Sequence, residues 1–145
     1  LKSKINKKLI KELVNICKDG YKKMYKKLGR KVENIEKLLN SVLNNCDLFI
    51  IDKAKHPIGF IAYNKFDNAY ILRLWGIHKD FRNSRLSIIM IDEIIEKAIK
   101  EGIKEMTMIT NKEEIGLGLL AKKRGFKESR HGDEMIYVKE LKEAV

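Results

Sequence analysis

The segment Tyr70-Ile71-Leu72-Arg73-Leu74-Trp75-Gly76-Ile77-His78-Lys79-Asp80-Phe81-Arg82-Asn83-Ser84-Arg85-Leu86-Ser87 decides the fold. Its first half alternates, with Tyr70, Leu72 and Leu74 at every second position, as a strand requires. A polar loop follows, and the period then changes. Ile88, Ile91, Ile95 and Ala98 share one helical face flanked by Ile94 and Ile99, while Asp92, Glu93, Glu96, Lys97 and Lys100 face water. Glu93 and Lys97 are spaced as a favourable i, i+4 pair. Gly102 stands where helices favour glycine as a terminator, and Met106 to Thr110 alternates again. A strand, a helix and a second strand joined by short turns make a βαβ unit with its strands parallel.

Working upstream, Ile58 to Tyr63 reads as a strand after Pro57, with Asn64 to Asn68 as the turn into Tyr70. Leu48 to Ile51 reads as another, closed by an Asp52 to Lys55 turn, which completes an antiparallel meander. The first 45 residues have a helical period. Leu9, Ile10, Leu13, Val14 and Cys17 line one face, Gly20 interrupts, and Tyr21 to Leu28 forms a short basic helix ended by Gly29. Val32, Ile35, Leu38, Leu39, Val42 and Leu43 mark a third helix, and these helices are expected to cover a sheet. Working downstream, Glu113 to Lys123 is a helix, Gly125-Phe126 turns the chain, and strands Phe126 to Arg130 and Glu134 to Lys139 meet at His131-Gly132-Asp133. The expectation is one α+β domain over 1–145 with a mixed sheet. It has a helical cover over 1–45, the sheet and loop helix over 47–110, and a last helix and hairpin over 111–145.

With 44% hydrophobic and 35% charged residues, the chain belongs among globular proteins rather than disordered tails. Cys17 and Cys46 lack metal-type spacing and fit two inert thiols in a reduced, cytoplasmic protein. No apolar run reaches the ~18 residues of a membrane span, and lysines scattered through the first 30 residues leave no signal-peptide pattern. The chain opens at Leu1 without a methionine, so a natural start upstream is expected. The net charge of +11 favours anionic partners: nucleic acid, a membrane surface or a phosphate-rich cofactor. A residue usage rich in Ile, Asn and Lys accounts for much of that charge without any dedicated surface.

The loop carries chemistry. A strand running through a tight loop into a helix presents backbone N–H groups and the positive end of a helix dipole, which suits a pyrophosphate. Arg82-Asn83-Ser84-Arg85-Leu86-Ser87 occupies that place. In order and spacing the chain resembles the GNAT superfamily of acyl-CoA-dependent N-acetyltransferases. Ile77 to Arg82 stands where that family has Val-x-Pro-x-Tyr-Arg, Lys97 to Gly102 matches its usual helix ending, and Lys122-Lys123-Arg124-Gly125-Phe126 resembles its Glu-Lys-Leu-Gly-Phe. The resemblance implies a mixed-sheet GNAT fold with acetyl-CoA as co-substrate and an amine of a small molecule or protein as acceptor. It places Trp75, Gly76 and Ile77 along the pantetheine arm and Arg82, Asn83, Ser84, Arg85, Leu86 and Ser87 at the phosphates. Glycine inside a strand is also a bulge marker, and the other reading of Trp75-Gly76 is a core tryptophan beside a glycine that relieves crowding.

Departures from the family pattern fall on the working parts. Arg85 replaces the first glycine of Arg/Gln-x-x-Gly-x-Gly/Ala, and either swings outward to add a phosphate contact or fills the cofactor's space. Ser87 stands at the small residue, where its hydroxyl can cap the helix or meet a phosphate. Ala121 stands where the family often has a tyrosine acid, and Glu114 where it often has asparagine, with Asn111 nearby. Asp67, Tyr70 and His78 are the remaining polar groups, and no catalytic residue is assigned. These departures support an alternative: a silent GNAT-like module whose basic surface holds an acidic partner or nucleic acid, through Tyr21-Lys22-Lys23-Met24-Tyr25-Lys26-Lys27. A homodimer formed through a sheet edge or the amino-terminal helices is a third reading.

Overall fold

The computed structural model describes residues 7–82, 85–111 and 115–142. Among them are four α-helices and six strands: α1 (Lys7–Lys27), α2 (Ile35–Asn44), β1 (Asp47–Lys53), β2 (His56–Phe66), β3 (Ala69–Ile77), α3 (Leu86–Lys100), β4 (Glu105–Asn111), α4 (Ile115–Lys123), β5 (Lys127–His131) and β6 (Glu134–Glu140). A 3-10 turn, Lys79–Phe81, lies between β3 and α3. The strands form one mixed sheet in the order β1-β2-β3-β4-β6-β5. Packing divides the chain into two compact units. One holds the chain up to Ala62 together with Leu74–Ser87, and the other holds Tyr63–Arg73 together with the chain from Ile88 onward.

In the first unit, Ile10, Leu13, Val14 and Cys17 of α1 meet Ile35, Leu39 and Leu43 of α2 over Phe60, Ala62 and Leu74 of the sheet. Each Leu, Ile, Val or Phe side chain among them contributes about 1.5–3 kcal/mol when fully buried. The helices therefore cover the sheet as their period predicts. Gly20 does not interrupt them, because α1 runs unbroken to Lys27. Tyr21 and Tyr25 beyond the glycine pack on the same cluster, and that packing outweighs the roughly 1 kcal/mol a helical glycine costs. α2 starts at Ile35, three residues after Val32, behind Asn34 in the left-handed region at φ 65°. The β1–β2 turn is Ala54-Lys55 alone, with φ of 52° and 67°, the paired positive values of a tight hairpin.

In the second unit, β3 and β4 pair in parallel from Ala69 opposite Glu105 to Leu72 opposite Met108, as the βαβ reading requires. β6 pairs antiparallel with β4 across Glu105 to Asn111 and with β5 across Lys127 to His131. Strand β2 continues to Phe66, and the turn into β3 shrinks to Asp67-Asn68. Asn64, expected in that turn, stays in the strand, where its side chain accepts from Arg73 Nε (3.0 Å). The buried face of α3 is Met90, Ile91, Ile94 and Ala98, rotated from the expected one, with Ile88 and Ile95 only half-buried. Arg124 at the end of α4 grips Asp92 of α3 with two bonds, Nε to Oδ1 (2.6 Å) and Nη2 to Oδ2 (3.1 Å).

The expected Glu93–Lys97 pair gives way to a different network. Lys97 is paired with Glu101 and also donates to Tyr70 Oη (3.1 Å), while the Tyr70 hydroxyl donates to Glu101 Oε1 (2.5 Å). Lys65 adds a second cation to Glu101 at 3.5 Å. Tyr70 has no solvent exposure and stacks on Tyr63 with ring centroids 4.5 Å apart. Burial first, then the bond to Glu101, pushes the Tyr70 phenol above its ordinary range. The bond from Lys97, followed by that from Tyr70, holds the Glu101 carboxyl below its ordinary range.

Candidate functional site

The segment from Leu74 to Ser87 belongs wholly to the first unit, and its shape follows from three anchors. His78 N–H donates to the Ile58 carbonyl (2.7 Å), which holds the end of β3 against β2. His78 then caps the 3-10 turn, its Nδ1 accepting from Asp80 N–H (3.1 Å). Arg82 closes the turn by donating from Nε to the Ile77 carbonyl and from Nη2 to the Ile16 carbonyl of α1, both at 3.2 Å. Its guanidinium is thus a strut between α1 and the loop. Arg85 differs: it is exposed and has no partner among the described residues. The first helical residue is Leu86, so Ser87 lies inside the first turn of α3 and not at the cap position.

On β3, Leu74 packs into the α1–α2 cluster, and a Cβ at Gly76 would collide with the Phe60 ring. Gly76 does not have a positive φ, so the packing of Phe60 accounts for the glycine. Trp75 is buried, and its Nε1 has no hydrogen-bond partner among the described residues. The Trp75 backbone N–H donates to Tyr21 Oη of α1 at 3.4 Å. Asn83, Ser84 and Glu114 lie outside the described residues.

Beside the loop, a cleft of about 450 Å³ is lined by Glu12, Asn15, Ile16 and Asp19 of α1, His56 and Pro57, and His78, Lys79 and Arg82. Its charged lining is mixed, with the carboxylates of Glu12 and Asp19 alongside Lys79 and Arg82. Tyr21 and Tyr25 are turned towards the helical core, while Lys18 and Lys22 pair with Glu36 at 3.5 and 3.6 Å. The aromatics of that basic stretch are therefore not presented for stacking on bases.

The sequence matches the model of the Acetyltransferase (GNAT) family over residues 10–126. The chain belongs to the acetyltransferase (GNAT) family. No curated protein sequence matches it. Its fold is similar to that of the PaiA N-acetyltransferase from Thermoplasma acidophilum in complex with coenzyme A (19% identity, TM-score 0.70, 94% of this chain and 96% of that one). It is also similar to a GNAT-family acetyltransferase from Staphylococcus aureus Mu50 (17%, TM-score 0.69, 95% and 96%). A third similar structure is Tetrahymena GCN5 (17%, TM-score 0.73, 97% and 91%).

Within this GNAT chain, α4 carries no acid. Ala121 is fully buried, and Gly118, three residues before it on the same helical face, is covered by the Tyr137 ring of β6. A Cβ at Gly118 would collide with Tyr137 Oη. Burial keeps the Tyr137 phenol protonated above its ordinary range. No spacing rule in the sequence joins Gly118 to Tyr137, because the contact is set by where β6 lies in the sheet. Nor did any signal mark Arg82 as a strut, since its acceptors are main-chain carbonyls.

Proposed function

We propose that this GNAT protein transfers an acetyl group from acetyl-CoA to an amine of a small molecule or protein. The observation that carries the reading is the segment from Trp75 to Ser87. It joins a buried indole N–H to a helix start bearing an exposed Arg85, both without a partner among the described residues. Both features fit a molecule with a carbonyl-bearing arm and a polyphosphate. Arg85 and the first N–H groups of α3 would hold the phosphates, and Trp75 to Ile77 the arm. Acetyl-CoA supplies an acyl group already activated as a thioester. Arg82 keeps the loop in place through its bonds to the Ile77 and Ile16 carbonyls. With alanine at position 121, orientation of the two reactants supplies most of the acceleration, which alone is worth several kcal/mol.

Calorimetric titration with acetyl-CoA and release of free thiol with a panel of amines test this reading. Arg85→Ala is expected to weaken acetyl-CoA binding about tenfold, the size of a lost charge-assisted hydrogen bond. Tighter binding by that variant would mean that Arg85 fills the site instead. The second reading, a binding module without turnover, is favoured by the buried methyl of Ala121. It predicts binding of acetyl-CoA with no thiol release for any amine, or no binding at all together with a salt-sensitive complex with an acidic partner.

A further inference from the structure

β5 is the last strand of the sheet, and among the described residues it pairs with β6 alone. All of its residues, Lys127-Glu128-Ser129-Arg130-His131, are exposed. Which backbone groups it turns outward follows from the hairpin. His131 faces Glu134 across the two-residue loop Gly132-Asp133, and Gly132 has φ 65°, as the first central residue of a type II′ turn requires. Such a closing pair is hydrogen-bonded, and bonding alternates along an antiparallel ladder. Lys127, Ser129 and His131 therefore give their backbone groups to β6, while Glu128 and Arg130 turn theirs to the open edge. The side chains of Glu128 and Arg130 share one face of the sheet, the face of α4, where Lys122 pairs with Glu128. Arg130 spends only Nε on a bond, to the Gly132 carbonyl (3.1 Å), and keeps both Nη groups unbonded among the described residues.

We propose that β5 pairs antiparallel with β5 of a second copy of this chain, about a twofold axis at Ser129. In that register the Glu128 N–H and C=O exchange bonds with those of Arg130 of the second copy, and reciprocally, so the outward groups are used. The same register sets each Glu128 carboxylate against the Arg130 guanidinium of the other copy. Ser129 meets itself and Lys127 meets His131, so no two fixed charges of like sign stand opposite. The two neighbouring symmetric registers that keep the bonding phase put Glu128 on Glu128 or Arg130 on Arg130, and like charges directly opposite repel. Charges on an edge strand usually keep other strands away, whereas this set admits one partner in one register. A twofold of this kind leaves α4 of both copies on the same face of the joined sheet. Leu119, 56% exposed and one turn before Lys122 on α4, then lies beside the seam and adds apolar contact.

Sedimentation equilibrium of the full chain is expected to show a monomer–dimer equilibrium with a Kd on the order of 100 µM, the weak range of small polar interfaces. Glu128→Arg and Arg130→Glu are each expected to weaken the dimer at least about tenfold. Mixed together, the two variants are expected to form a heterodimer, because each then meets the opposite charge at both positions. Ser129→Cys is expected to give a disulfide-linked dimer on mild oxidation. Opposed residues in a non-hydrogen-bonded pair stand about 4.5 Å apart at Cα, within reach of that bond. Lys127→Cys is expected to stay unlinked under the same conditions, and the native Cys17 and Cys46 are buried. A chain that stays monomeric at millimolar concentration overturns the proposal, as does a dimer that both charge reversals leave intact. Reversals that dissociate the dimer but do not recombine on mixing overturn the register and the proposal with it. Should a reversal fail to fold, the two cysteine variants decide: equal linkage in both, or none in either, contradicts the pairing.

Discussion

Tyr70 shows how far a residue's role can lie from its own segment. A strand alternation marks it as inward-facing, and it has no solvent exposure, yet its hydroxyl organises Lys97 and Glu101. The i, i+4 rule offered Glu93 as the partner of Lys97, because that rule sees one helix only. The tyrosine reaches in from β3 and draws Lys97 towards Glu101 instead. Glu101 has its carboxyl held low, so its contribution to stability is present above the ordinary carboxylate range and lost as pH falls through the depressed value. Glu101→Gln is therefore expected to lower Tm at neutral pH, with the gap from wild type closing below about pH 4 in a Tm-against-pH series. Gly76 makes the second case. Its Cβ would enter the ring of Phe60, which is itself fully buried, so Gly76→Ala is expected to cost about 1–3 kcal/mol in chemical denaturation.

Among the elements, strands and helices were readable where one face alone is apolar, and misread where polarity gave a poor guide. The ends of β1 and β2 are polar, yet they pair, so both strands run on and their turns shrink to two residues. In α3 isoleucines fall on nearly every side, and the sequence could not say which ones the fold would bury. In α1 Gly20 looked like a break, but its φ is not positive and open space surrounds it. Gly20→Ala is expected to raise stability by about 0.5–1 kcal/mol, read as a shift of the denaturation midpoint at constant slope. No change, or a loss, would mean that the glycine is needed for a bend in the helix. Arg82 belongs here too: its place at the start of a loop was legible, but not that this loop is held from α1.

For the whole molecule, the order of elements and the Gly125-Phe126 ending carried the family, and the match over residues 10–126 agrees. Chemistry was less legible because the positions that carry it in the family are changed here, at Arg85 and Ala121. The net charge of +11 fits a phosphate-bearing ligand, although it does not choose among anions. Among the described residues no helix is long and apolar enough to cross a membrane. What remains is whether the segment from Trp75 to Ser87 holds acetyl-CoA at all, and calorimetry asks this directly. The account predicts saturable one-to-one binding with a Kd below about 1 mM, weakening as salt rises. Absence of heat at millimolar acetyl-CoA, with the protein folded, would contradict it.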